Sequence, residues 1–147
     1  MSVTREYAAI GKKRVNHIVA RWIGGEAFEA GRPDRPSVTI DGGAKLGPGP
    51  VDVLLSALAT CSALDIVQIL EKRRTPLTSL EIDVHGDRAD AIPARLTTIR
   101  MVFRMSGAGI EREHAERAVD LAVNKYCSVR DSLDPAIPIE WTVELSA

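Results

Sequence analysis

The stretch GPGPVDVLLSALATCSALDIVQIL, residues 47–70, decides the fold. Gly47-Pro48-Gly49-Pro50 forces a turn, and Pro50 suits a first helical position because its missing amide hydrogen would be unpaired there anyway. Asp52 falls in the first turn, where a carboxylate is favoured by about 0.3–1 kcal/mol against the exposed amide dipoles. The run from Val51 to Arg73 is too long for a strand and reads as one helix, ending before Thr75-Pro76, where proline discourages its continuation. It is apolar on nearly every side, so it is expected to be buried, with Cys61 in the interior or at a subunit contact.

Working outward, Val15 to Ile23 and Ser37 to Ile40 read as short strands between turns at Gly24-Gly25, Pro33 to Pro36 and Gly42-Gly43. Gly42 to Gly49 is glycine-rich but lacks the Gly-Lys-Ser/Thr ending of a phosphate loop, and reads as a flexible connection. Ser79 to Arg88 and Leu96 to Met105 are two further strands around Ala91-Ile92-Pro93. In the second, Ile99, Met101, Phe103 and Met105 alternate with Arg100, Val102 and Arg104, the pattern of a sheet with one wetter face. Glu111 to Tyr126 returns to helical spacing, with Ala115, Ala118, Val119, Ala122 and Val123 on one stripe. Ile137 to Leu145 reads as a closing strand. Strands grouped around two helices without strict alternation predict an α+β fold.

Cys61 and Cys127 are the only thiols among 147 residues. A thiolate is the reactive form, and apolar burial raises a thiol above its free value of about 8.5, which by itself makes an inert cysteine. Asp65, one turn beyond Cys61, would oppose ionisation further if charged and near. Asp52 stands nine residues before Cys61, and steps of about 100° put it on the opposite side of the helix, so its simplest role is to start that helix. Cys127 closes an amphipathic segment beside Lys125 and Arg130. Nearby cations lower a thiol pKa, whereas a helix carboxyl end works the other way. Composition alone favours both cysteines as buried small residues.

Other chemistry is not supported by spacing. A formal charge of −1 and 4% aromatic content give no basis for nucleic-acid binding or base stacking. His17, His85 and His114 form no recognised zinc spacing, so no metal is expected. Trp22 and Trp141 lie in strands and read as core or interface. The amino terminus has no apolar h-region, and no later run is read as a membrane span. A cytoplasmic protein is the default expectation. In that reducing compartment a lasting disulfide is uncommon and a transient catalytic one is an accepted exception.

The helix of residues 47–70, followed by AERAVDLAVNKYCSV at 115–129, resembles the OsmC/Ohr family of osmotically inducible and organic-hydroperoxide-resistance proteins, most closely its YhfA-like branch. The resemblance covers about Val15 to the carboxyl end, giving a single OsmC-like domain at 15–147 and an amino-terminal extension at 1–14. It implies an intertwined α+β homodimer, with central helices packed against antiparallel sheets and sites at the subunit interface. It further implies that Cys61 is the peroxidatic thiolate and Cys127 the resolving thiol. An external dithiol reductant protein, of lipoyl type in characterised relatives, would restore the pair with no bound cofactor or metal. The substrate would be an organic hydroperoxide. Leu54, Leu58, Leu64 and Met101 are candidate pocket residues, and Asp52 and Arg130 candidate supporting charges.

One departure from the family pattern bears on function. Peroxidase members resemble one another in an arginine near the early Gly-Gly turn and a glutamate near the start of the cysteine helix. Here Glu26 follows Gly24-Gly25, and Val51, with Asp52 beside it, stands at the glutamate position. Two readings follow: a thiol-dependent hydroperoxide reductase, or a non-enzymatic small-molecule or protein binding module on the same fold.

Overall fold

The computed structural model describes residues 14–146. Apart from Arg14, the extension at 1–14 therefore lies outside the described residues. Among the described residues, six strands and three α-helices follow in order: β1 Val19–Gly24, β2 Ala27–Gly31, β3 Val38–Asp41, α1 Pro50–Lys72, β4 Ser79–Arg88, β5 Leu96–Ser106, α2 Arg112–Leu121, a π-helical turn Ala122–Tyr126, α3 Ser128–Asp131 and β6 Ile139–Ser146. The α+β expectation holds. The chain divides into two compact units at Leu54 and Leu55, inside α1.

The first unit is an antiparallel meander of order β1-β2-β3. Gly24 and Gly25 both have positive φ, 113° and 55°, and turn β1 into β2. Trp22 is 68% exposed, with its indole Nε1 donating to the Gly25 carbonyl oxygen at 2.9 Å. A core position for Trp22 is thus corrected: it faces outward on this chain. The segment Gly42 to Gly49 is also more ordered than a flexible connection. The Asp41 carboxylate accepts from the amides of Gly43 at 2.9 Å, Lys45 at 3.2 Å and Leu46 at 3.0 Å, while the Asp41 amide donates to the Pro48 carbonyl at 2.9 Å. A short acidic side chain collecting successive amides fixes a loop that glycine alone would leave loose.

The second unit carries the core. Its sheet has order β4-β5-β6. β4 and β5 run antiparallel, but β5 and β6 are parallel, with Met101 opposite Trp141 and Phe103 opposite Val143. The expectation of antiparallel sheets is corrected at this pair. A parallel neighbour requires a crossover, here supplied by α2, the π turn and α3. Ile99, Met101, Phe103 and Met105 are fully buried, as their alternation predicted. On the other face Arg104 pairs with Asp83 and Glu144, and Arg100 with Asp87. These exposed ion pairs set register more than stability.

In α1, Leu58, Ser62, Ile66 and Leu70 form a fully buried stripe at four-residue spacing, whereas Leu64 remains 54% exposed. Gly86 of β4 permits close packing here. A Cβ at that position would meet Leu96 Cδ2 at 2.7 Å and the Leu55 methyl groups at 3.2 and 3.4 Å. The sequence reading found no membrane-length run, yet this helix is long and apolar enough to cross a membrane by length and composition. Its buried stripe at a single face is what a core helix shows.

The helix ends one step before proline could end it. Arg74 has φ 63°, its amide donates to the Glu71 carbonyl at 2.9 Å, and the Thr75 amide donates to the Leu70 carbonyl at 3.0 Å. That pairing is the Schellman closure, whose left-handed position favours glycine. Arg74→Gly is therefore expected to raise stability by about 1 kcal/mol, read as a higher urea midpoint at unchanged slope.

Candidate active site

Two segments of the second unit build the site. Cys61 sits on α1 directly before Ser62, the polar member of the buried stripe. Its side chain is partly exposed, and both cysteines are free thiols. The Ser62 hydroxyl donates to the Leu58 carbonyl at 2.9 Å, the bond to the preceding turn that a serine within a helix can make.

Cys127 arrives at the end of the predicted amphipathic helix. The stripe Ala115, Ala118, Val119, Ala122 and Val123 is buried as expected, but the last turn widens into a π-helix. Turns of that kind occur mostly as single interruptions and often beside functional sites. Cys127 then adopts extended backbone, φ −72° and ψ 107°, and begins α3. Its Sγ accepts from the Arg130 amide at 3.3 Å. The sequence reading placed Cys127 at a helix carboxyl end only; it is also the amino-terminal cap of the next helix. That short α3 was not read from sequence, since SVRD offers no periodicity.

The Cys127 thiol is only 4% exposed. Burial pushes it up, the Arg130 amide opposes this, Cys61 raises it further through hydrogen bonding and charge, and Ser62 pulls it back down. Cys61 and Ser62 of α1 thus both bear on the Cys127 thiol. Ser62 was the member that sequence reasoning missed. Its position, adjacent to Cys61 and four residues from Leu58 and Ile66, was the available signal.

The remaining candidates are placed separately. Asp52 accepts from the Gly49 amide at 2.8 Å, the third-residue carboxylate returning to the helix cap. Arg130 reaches Cys127 through its backbone amide, while its guanidinium Nη2 donates to the Ile137 carbonyl at 3.3 Å. Leu58 and Met101 are fully buried, whereas Leu54 and Leu64 are exposed on this chain. A pocket of about 210 Å³ lies instead beside Cys127, lined by Val123, Asn124, Lys125, Cys127, Arg130, Asp131, Leu133 and Pro135. None of the four apolar candidates lines it.

Asp41 is the other polar residue that sequence reasoning passed over, and it organises the loop leading to α1. The amides of Leu46 and Gly43, chiefly, hold its carboxyl below the ordinary carboxylate range. A depressed carboxylate contributes stability that is fully present above its unfolded pKa and is lost as pH falls through the folded value. Asp41→Asn is expected to lower the thermal midpoint at neutral pH. One carboxylate oxygen serves Gly43 and the other serves Lys45 and Leu46, and the amide keeps only one acceptor. The gap between variant and wild type should close in strong acid, as followed by thermal unfolding across pH.

Comparison with known proteins agrees with this architecture. The family model described as OsmC-like protein matches residues 42–142. Protein YhfA of Escherichia coli K12 is 31% identical over 128 residues, covering 86% of this chain and 96% of YhfA. The OsmC-like protein of Mycoplasma pneumoniae superposes with a TM-score of 0.77 at 19% identity, covering 92% of this chain and 99% of its own. The organic hydroperoxide resistance protein OhrB of Bacillus subtilis gives 0.59 at 16% identity, over 87% and 96% respectively. Those two likenesses show a shared fold. With a family match over residues 42–142 and a relative above 30% identity along most of its length, the chain belongs to the OsmC-like protein family.

Proposed function

We propose that this chain is a thiol-dependent hydroperoxide reductase in which Cys61 is the peroxidatic and Cys127 the resolving residue. The observation that carries the reading is that Cys61 and Ser62 both act on the buried Cys127 thiol. In the reaction, the Cys61 thiolate attacks the distal peroxide oxygen, the O–O bond breaks and an alcohol leaves after taking a proton. The sulfenic acid left on Cys61 condenses with the Cys127 thiol, releasing water and forming the disulfide. A dithiol reductant returns both thiols. Cys61 is the more accessible of the two, which suits it for first contact with substrate. The names of structural relatives such as OhrB point the same way.

The working form is proposed to be a cytoplasmic homodimer. Leu54, Leu64 and Val67 stand exposed on α1 in the single chain, and a second copy covering them would enclose the Cys61 side. Sedimentation tests this directly, a monomer at micromolar concentration being the adverse result.

A second reading, a binding module without turnover, is favoured by the replacement of the family's activating arginine and glutamate and by the commitment of Asp52 to its helix cap. One equivalent of cumene hydroperoxide separates the two. The reductase loses both thiols within the mixing period and gains an intramolecular disulfide, seen by intact mass and thiol titration. A binding module keeps its thiol count.

A further inference from the structure

The pocket beside Cys127 contains two cations, Lys125 and Arg130, and one carboxylate, Asp131. Lys125 is exposed and lies over the Tyr126 ring at 5.5 Å. Among the described residues neither cation forms a salt bridge, and Arg130 spends one nitrogen on the Ile137 carbonyl. A guanidinium has five N–H donors in a fixed fork, so most of its capacity to hold an anion stays open. Cys127, otherwise buried, lines this same pocket. The arrangement joins the Cys127 sulfur to a net positive recess large enough for a small molecule.

Resting on the reductase reading, we infer that this recess admits the reductant, a small thiol bearing a carboxylate, and that it attacks the Cys61–Cys127 disulfide at Cys127. The incoming thiolate bonds to Cys127 Sγ, the protein disulfide breaks, and Cys61 departs with the electron pair as a thiolate. A second thiol then attacks the sulfur of the bound reductant, forming the reductant disulfide and releasing the Cys127 thiolate. Each thiolate takes one of the protons that the two reductant thiols gave up. Overall, two reductant thiols become one disulfide and both protein thiols are restored.

The direction of attack has a second, independent support. In disulfide exchange the sulfur with the lower pKa leaves faster. Burial holds the Cys127 thiol up, which makes Cys127 a poorer departing group than a solvated thiol would be. Lys125 and Arg130 would meanwhile hold the carboxylate of the attacking molecule. A neutral dithiol has nothing for these cations to read.

The test uses the full chain with its disulfide formed by diamide, so that it does not require peroxide turnover. Reduction by 3-mercaptopropionate, cysteamine and neutral dithiothreitol is followed with acid quenching and peptide mass spectrometry. The expected adduct is on Cys127. Per thiolate, 3-mercaptopropionate should act about tenfold faster than cysteamine at low salt. The preference should shrink at high salt and vanish in Lys125→Glu. An adduct confined to Cys61, or equal rates for the anionic and cationic thiols, overturns the inference. If diamide forms the disulfide but hydroperoxide does not, only the reductase reading falls. If diamide forms none, Cys61→Ser treated with dithiobisnitrobenzoate against cystamine reads the same charge preference at Cys127, and its absence is equally adverse.

Discussion

On the proposed reductase reading, Cys61→Ser is expected to abolish hydroperoxide consumption, lowering the turnover rate by about a thousandfold or more, because a hydroxyl at the same place has no accessible anion to attack oxygen. The fold should survive, since sulfur and oxygen differ little in volume and Cys61 is not part of the fully buried stripe. Circular dichroism and the thermal midpoint serve as that control. Cys127→Ser is expected to separate the proposed roles: the first oxidation should proceed, and Cys61 should stop at the sulfenic acid, where dimedone traps it. Should Cys61→Ser retain wild-type turnover while Cys127→Ser loses it, the two roles would have to be exchanged. Loss of turnover in neither variant would remove thiol chemistry altogether.

Phe103→Ala is expected to produce the largest loss of stability. Phe103 is the bulkiest fully buried side chain and lies at the middle of β5, opposite Ile82 on one side and Val143 on the other. Truncating a buried phenylalanine removes its transfer energy and leaves a cavity, together worth about 3–5 kcal/mol. For a chain of this size the thermal midpoint should fall by roughly 10 °C. Equilibrium unfolding in urea measures the loss. A change below about 1 kcal/mol would mean that the surrounding methionines, Met101 and Met105, close the void completely.

Much of the architecture was legible because the informative segments satisfy one strong rule each. β5 alternates strictly, β4 is bounded by turns, and α1 is launched by proline over a long apolar run. β2 was missed because Ala27, Glu29, Ala30 and Gly31 are poor strand formers by themselves; antiparallel neighbours on both sides supply the pairing that intrinsic preference does not. The parallel sense of β6 was equally hidden, since period-two alternation is the same in either direction. The burial expected of α1 is met on one face within the single chain. An apolar surface all round predicts enclosure in the interior or at a subunit contact, and the single chain covers one stripe, with Leu64 and Val67 exposed.

At the site, the two cysteines were legible as a pair only through the family resemblance, because they lie far apart along the chain. Ser62 and the α3 cap were not legible. Their contributions depend on where α1 and the π turn bring the sulfur atoms, which no local spacing encodes. The role of Arg130 illustrates the point: its positive charge suggested thiolate support, but its contact with Cys127 is made by a backbone amide that any residue there would carry.

The parallel join of β5 to β6 has a consequence for how the molecule is assembled. Arg104 and its partner Glu144 are 40 positions apart, so this seam can close only once the segment that forms α2 and α3 has been synthesised. Until then β5 keeps an open edge beside Met101, Phe103 and Met105, and an open edge next to such side chains invites pairing with other chains. The carboxyl-terminal strand is thus a late seal, and protein synthesis must deliver it before the hairpin meets another copy of itself.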